Sequence, residues 1–167
     1  VLDLPSVKKA VEGCDVIVHL AYGGKKVTVK GTENVLKAAM HSEVSKIIYF
    51  STSVVHGRNP GVKLVDESSP FRNDGDVYCS SKIEAEKIVW RYHQKYGLPI
   101  VVFRPTCIYG PYGRMWTIRP IKEIKEGAIT LVDGGEGAAN VVYIDNVIDA
   151  IFLAIENDRA VGEAFII

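Results

Sequence analysis

Tyr78 and Lys82 stand four residues apart in Tyr78-Cys79-Ser80-Ser81-Lys82, and on a helix that spacing puts both side chains on one face. A free phenol titrates near ~10, so bringing it to neutrality takes roughly 4 kcal/mol of differential stabilisation. A nearby ammonium and a cationic nicotinamide both push in that direction. A tyrosine tuned in this way can exchange a proton with an alcohol or ketone while a nicotinamide exchanges the hydride. The spacing alone also suits a surface pair. Its weight comes from its place, early on a long helical stretch that leads into an apolar strand.

Two further clusters could take part. Ala21-Tyr22-Gly23-Gly24 follows an apolar run and would let a ligand approach the backbone closely, although it also reads as a plain turn. Ser51-Thr52-Ser53 closes another apolar run with three hydroxyls, which alone would serve as caps or turn residues.

The elements that would position these groups alternate between two periods. Asp15–Leu20, Lys46–Ser51 and Pro99–Phe103 read as short buried strands, with Ile129–Val132, Val141–Ile144 and Phe165–Ile167 as further short ones. Leu4–Glu12, Thr28–His41, Val77–Tyr96 and Thr117–Glu126 read as helices, and Asp145 as the cap of another running to about Glu156. In Val77–Tyr96, Ala85, Ile88, Val89, Tyr92 and Tyr96 share one face, and Gly97 suits the helix end. Residues 52–74 hold Gly57, Pro60, Gly61 and Pro70 and read as a long loop, and 105–114 reads as another. Apolar strands joined by helical crossovers predict an α/β fold, a doubly wound parallel sheet buried on both faces. Ligands of such sheets bind beyond the carboxyl ends of the strands, where Leu20, Ser51 and Phe103 stand.

The 167 residues are 47% hydrophobic and 24% charged, too apolar for a disordered chain. Lys and Arg total 20, as do Asp and Glu, and this zero balance argues against a nucleic-acid partner. No apolar run reaches the ~20 residues that span a bilayer. Three scattered cysteines form neither a disulfide framework nor a zinc pair, and the four histidines share no ligand spacing. No metal is expected, and a reducing, cytoplasmic setting is.

Taken in order, several segments look like motifs of one family. Asp15-Val-Ile-Val-His-Leu-Ala21 resembles its D-x-V-x-H-x-A strand, and Val29-Lys-Gly-Thr-Glu-Asn-Val-Leu36 its N-V-x-G-T-x-N-V-L helix start. Phe50 to Gly57 resembles F-S-S-x-x-V-Y-G, Tyr78 to Lys82 resembles Y-x-x-S-K, and Arg104 to Pro111 resembles R-P-x-x-x-Y-G-P. Tyr143 to Ala150 resembles V-x-V-x-D-V-A-x-A. On these motifs the chain resembles the extended short-chain dehydrogenase/reductases, the NAD-dependent epimerase/dehydratase group.

The resemblance implies a partial Rossmann-like NAD(P)-binding domain over residues 1–104. Residues 105–167 would hold substrate-side loops and helices interleaved with the last strands. It implies NAD or NADP as cofactor and a small-molecule substrate. Thr52 matches the residue that hydrogen-bonds the reacting oxygen, Tyr78 the acid/base, and Lys82 the residue that lowers the tyrosine pKa and holds the nicotinamide ribose. Leu20, Ala21 and Tyr22 match the stretch that runs past the dinucleotide. Ser51, Pro105 and Ile108 match positions near the nicotinamide.

The departures are equally specific. The family's Gly-rich phosphate loop has no counterpart here, since Gly134-Gly135-Glu136-Gly137 does not fit G-x-G-x-x-G and reads as a loop. The joint from Ala21 to Thr28 is shorter than usual. Segments preceding Val1 and following Ile167 are therefore expected. Ala138-Ala139-Asn140 stands where nucleotide-sugar enzymes often carry an Arg for the diphosphate, and Ser53-Val54 follows Thr52 where dehydratases usually have Asp-Glu. The leading expectation is an NAD(P)-dependent oxidoreductase or epimerase. The alternatives are a nucleotide-sugar epimerase or dehydratase and a non-catalytic NAD(P)-binding regulator.

His19 is expected to pack in its strand and Cys107 to line the cleft as a neutral thiol, while His56, near the site mouth where the family has Tyr, reads more readily as a loop residue than as a substrate contact. Arg114 and Trp116 are expected in the substrate-side loop. Trp90 lies off the main apolar stripe of its helix, so a homodimer through helices 28–41 and 77–96 is expected to cover it.

Overall fold

The computed structural model describes residues 1–58 and 64–167, so Pro60 and Gly61 of the expected loop lie outside the described residues. The first helix, α1 (Leu4–Val11), is capped by Asp3, whose carboxylate accepts from the Ser6 amide at 2.9 Å. It packs on α2 (Thr32–Ala39) through Val7, Val11, Val35 and Ala38.

The strands β1 (Val16–His19), β2 (Lys46–Phe50), β3 (Ile100–Arg104) and β6 (Ala164–Ile166) form one four-stranded sheet in the order β1-β2-β3-β6, and every pairing is parallel. Period-two alternation sorts their side chains. Ile47, Tyr49, Ile100 and Val102 face α2 and α3 (Val77–Tyr96), meeting Leu36, Ala85 and Val89. Ile48, Phe50, Val101 and Phe103 face the opposite layer, where α5 (Ile144–Glu156) brings Val147 and Ala154. Helices on both faces of a parallel sheet make the doubly wound architecture expected from the alternation of elements.

The long helix α3 begins at Asp76, whose side chain accepts from the Cys79 amide at 3.4 Å. It ends where Gly97 takes the left-handed conformation at φ 69° and donates to the His93 carbonyl. Both ends match the sequence pattern, and α3 carries Tyr78 and Lys82 with its N-terminal half at the carboxyl edge of the sheet.

Four expectations need correction. The helix expected over 28–41 opens as a π-type turn (Val27–Gly31) and ends at Ala39. Its start is shaped by threonine hydroxyls, with Thr28 donating to the Gly23 carbonyl and Thr32 to the Thr28 carbonyl at 2.6 Å. No strand forms over 129–132. Residues 129–131 carry no regular structure, a short 3-10 turn follows at Val132–Gly135, and Ile129 and Leu131 are exposed. An apolar run becomes a strand only where a neighbour accepts its backbone bonds. The expected loop 105–114 instead contains β4 (Cys107–Tyr109), paired in parallel with β5 (Val141–Tyr143). Finally, β5 runs directly into α5, so Tyr143 is the N-cap and Asp145 lies within the first turn, where its charge still suits the helix dipole. The remaining helix, α4, spans Arg119–Lys125.

His19 behaves as the packed strand residue the sequence suggested. It is buried, pairs its Nε2 with the Thr32 hydroxyl at 3.0 Å and tilts against the Tyr49 ring. Burial, assisted by the Lys82 charge, pushes its pKa down to about 4. Because the unfolded chain binds this proton near ~6.5 and the folded chain does not, stability falls as pH drops from about 6.5 towards 4. By pH 5 this costs ~2 kcal/mol at 1.36 kcal/mol per unit. Urea unfolding of the parent and of His19→Asn between pH 7 and 5 checks it: the parent should lose that increment relative to the variant, and parallel curves would reject the assignment.

Candidate active site

The site lies at the carboxyl edge of the sheet, where β1, β2 and β3 end side by side. Beyond β1, Leu20 and Tyr22 are 60% and 61% exposed, and Ala21 between them is half-buried. Beyond β2, Ser51 and Thr52 are both buried. Two backbone bonds tie this strand end to its neighbour: the Ser51 amide donates to the Phe103 carbonyl at 2.7 Å, and the Ser53 amide to the Pro105 carbonyl at 3.0 Å.

Helix α3 lies across these ends and brings the expected residues together. The phenol of Tyr78 lies close enough to the Thr52 side chain to feel it electrostatically. Thr52 in turn caps the 3-10 turn Ser53–His56, accepting from the Val54 amide at 3.4 Å. The Tyr22 ring meets Tyr78 edge to face, with centroids 5.3 Å apart. Lys82 is buried, donates to the Phe50 carbonyl at 2.8 Å and stands 5.9 Å and 5.6 Å from the Tyr22 and Tyr49 ring centroids. Thr52, Tyr78, Lys82, Tyr22 and Ser51 therefore converge, with Pro105 just behind them. Ile108 does not join them. It sits on β4 and packs toward the face that holds α5.

The electrostatics differ from the expectation in one respect. Burial pushes the Tyr78 phenol up, and the nearby Thr52 side chain, with Arg58 in a smaller role, pulls it back. The Lys82 ammonium is directed to the Phe50 carbonyl, one turn along the same helix from the phenol. Burial lowers the Lys82 pKa to about 8, and Glu86 opposes that shift.

Two residues that the spacing arguments passed over organise this edge. Glu86, one turn beyond Lys82, is fully buried. Its carboxylate accepts from Arg104 Nε at 3.0 Å and Nη2 at 2.6 Å, from Trp90 Nε1 at 3.1 Å and from the Ser51 hydroxyl. Arg104, the last residue of β3, also donates to the Glu67 carbonyl at 2.8 Å. The signal was present as the run Tyr78, Lys82, Glu86, Trp90 at four-residue steps, and as one cation closing an otherwise apolar strand.

Several neighbouring expectations resolve differently. His56 is buried, with Nδ1 paired to the Pro70 carbonyl at 3.3 Å and Nε2 facing Arg104 Nη1, and it borders a cavity at the site mouth. A cavity of about 520 Å3 opens beside Ser53 and is lined by Arg58, Cys107, Trp116 and Asn140 among others. Cys107 is half-buried there, and burial pushes its thiol up, away from a reactive thiolate. Arg58 is engaged by Asp74 at 3.1 Å and Asp76 at 2.5 Å. Arg114 lies away from this cavity, beside Arg119 and Lys122. Trp90 is half-buried against α3's own core, its N–H satisfied by Glu86 and its ring edge to face with His93. Burial at a second subunit is therefore not required to satisfy it. Among the described residues, no group of three or more His, Cys, Asp or Glu side chains is placed to hold a metal, and no helix is long and apolar enough to cross a membrane.

The residues present fit a bound dinucleotide. Lys82 uses one ammonium hydrogen on Phe50 and keeps two for hydroxyl acceptors. Leu20 and Tyr22 hold apolar surface in water immediately after a buried strand, as a planar organic group lying over the strand ends would require.

Comparison with known proteins agrees with the fold. Residues 1–167 match the family described as NAD dependent epimerase/dehydratase. The chain is 29% identical over 182 residues to a 2-alkyl-3-oxoalkanoate reductase of Shewanella oneidensis, covering 96% of this chain and 47% of the relative. It is 33% identical over 142 residues to human dTDP-D-glucose 4,6-dehydratase, covering 83% and 40%. Among solved structures, the UDP-glucuronic acid 4-epimerase of Bacillus cereus, in complex with UDP-glucuronic acid and NAD, superposes with a TM-score of 0.82 at 26% identity, over 99% of this chain and 58% of that one. The chain spans about half the length of the curated relatives it matches.

Proposed function

Because the chain belongs to the NAD-dependent epimerase/dehydratase family, we propose that it carries the catalytic part of an NAD(P)-dependent oxidoreductase or epimerase acting at a hydroxyl or keto carbon. Thr52, Tyr78 and Lys82 form its site. The observation that carries this reading is the convergence of Thr52, the Tyr78 phenol and the buried Lys82 ammonium at the carboxyl edge of the sheet. Two hydroxyls that meet there can bracket one substrate oxygen. Thr52 orients that oxygen, and Tyr78 takes its proton when an alcohol is oxidised or returns one when a ketone is reduced. Bound NAD(P) supplies hydride acceptance and donation at the carbon. Lys82 offers its two remaining donors to the ribose hydroxyls, and its charge on the same helix face favours the phenolate once the site is closed from water. Leu20, Ala21 and Tyr22 line the dinucleotide's path, and Ser51 and Pro105 border its nicotinamide end.

A second reading, a nucleotide-sugar epimerase or dehydratase, is favoured by the likeness to the UDP-glucuronic acid epimerase. Against it, Arg58, the cation beside the 520 Å3 cavity, is already held by two aspartates. Turnover of the full-length protein with NAD(H) and NADP(H) against a panel of secondary alcohols, ketones, and UDP- and dTDP-sugars tests both. Turnover of alcohols or ketones supports the first reading and turnover of sugars the second. Cofactor binding without turnover on either panel would favour a regulatory binder and overturn both.

Lys82→Met keeps the stem and removes the donors. Full-length protein should bind NAD(H) on the order of 10-fold more weakly, the scale of a lost charged hydrogen bond, and its pH optimum should rise. Fluorescence titration and a pH–rate profile check this, and unchanged values in both would reject the assigned role.

The same family reading suggests a homodimer through the helices at 27–39 and 77–96. Sedimentation of the full-length protein at micromolar concentration should show a dimer, and a monomer there would refute it.

A further inference from the structure

Glu86 is the point where three chain segments of the site are joined. Helix α3 grips the end of β2 twice: Lys82 donates to the Phe50 carbonyl, and Glu86 accepts from the Ser51 hydroxyl. The residue after these is Thr52. The same carboxylate holds Arg104 at the end of β3, ahead of Pro105, through two hydrogen bonds. Arg104 in turn holds the loop carbonyl of Glu67, and the Glu67 carboxylate accepts from the Ile166 amide of β6 at 2.9 Å. Thr52 and Tyr78 come from different elements, so their hydroxyls meet only if β2 and α3 keep one register. Apolar packing alone tolerates small slips that a buried, fully bonded carboxylate does not.

The charge of Glu86 has a second consequence. Lys82 lies one turn away on the same face. The other groups around Lys82 are the uncharged rings of Tyr22 and Tyr49, buried His19 on β1 and Tyr78 on its own helix. Arg104 and His56 lie beyond Glu86, on the side of β3 and the 3-10 turn. Glu86 is thus the negative group set against an ammonium that has left water.

We propose that Glu86 is a positioning residue: it clamps the strand end bearing Thr52 to the helix bearing Tyr78 and Lys82, and its carboxylate is the counter-ion that keeps Lys82 charged. The roles given to Thr52, Tyr78 and Lys82 rest on the functional reading above, whereas the coupling of Glu86 to Lys82 rests on their one-turn spacing along α3 and on the bonds that hold both to the end of β2. It accords with the opposing effects of burial and Glu86 on the lysine.

The test reads ionisation directly and needs no substrate. In the full chain labelled with 13C at lysine Cε and glutamate Cδ, Lys82 is titrated by NMR and assigned with Lys82→Met. In the parent, the Glu86 carboxyl carbon should show an inflection at the pH where Lys82 loses its proton, and Lys82→Met should abolish it. In Glu86→Gln, which keeps the acceptor shape, the Lys82 midpoint should fall by about one pH unit, the scale of one lost neighbouring charge. If that variant does not fold, the parent inflection decides. No inflection in the parent, or an unmoved Lys82 midpoint in a folded Glu86→Gln, overturns the proposal. Either result is independent of turnover, so failure of the enzymatic reading would leave this coupling intact, and the reverse also holds.

Discussion

Tyr78→Phe should cut kcat of the full-length protein by at least ~100-fold, the usual scale for an acid–base group, with thermal stability and NAD(H) affinity nearly unchanged. The phenol is half-buried, and its polar contact in the fold is the Thr52 side chain. Thr52 still accepts from the Val54 amide, so the turn that it caps keeps its geometry when the phenol hydroxyl goes. The ring itself remains to meet Tyr22. The substitution therefore removes proton transfer and little else. Steady-state rates with a turned-over alcohol, beside melting curves for both proteins, decide the matter. A Phe variant working at the parent rate would mean that another group handles the proton.

That such a residue could be picked out before any coordinates follows from which interactions are local. The Tyr78–Lys82 pairing is set by helix periodicity, and the helix is set by its own caps, Asp76 and Gly97. The sheet was legible for the same reason: β2 and β3 each hold four successive apolar residues, Ile47–Phe50 and Ile100–Phe103, as strands buried on both faces must, and the half-buried edge strand β1 holds three, Val16–Val18. What escaped depends on partners distant in sequence. β4 exists because residues 141–143 lie beside it, and Ile129–Leu131, equally apolar, remains irregular without such a neighbour. Arg104 read only as the first residue of a motif. Its meaning comes from Glu86, which lies 18 positions earlier on another element. The bond from the Lys82 ammonium to the Phe50 carbonyl joins residues 32 positions apart, which helix periodicity could not foretell.

The pair that escaped is also where the fold is most exposed to a single change. Arg104→Met should destabilise the chain by ~3–5 kcal/mol, because it leaves a buried carboxylate without its cation. Both partners are deeply buried, with side chains 5% and 0% exposed, and the Arg104 Nη2–Glu86 Oε1 contact is 2.6 Å. Water cannot take over the solvation that the guanidinium supplied. The Trp90 and Ser51 donors that remain stabilise the charge only in part. The methionine fills most of the aliphatic volume, including the approach to the Phe71 ring that the guanidinium covers at 5.4 Å. The loss is thus electrostatic rather than a cavity effect. Adding Glu86→Gln to Arg104→Met removes the stranded charge while keeping an acceptor for Trp90 and Ser51, so the double variant should recover most of the stability. Urea unfolding of the parent, both single variants and the double at pH 7 gives the coupling through a double-mutant cycle. If Arg104→Met costs under ~1 kcal/mol, far below the scale for a stranded buried charge, or if the double variant loses the sum of the singles, the pair does not hold these strand ends to α3.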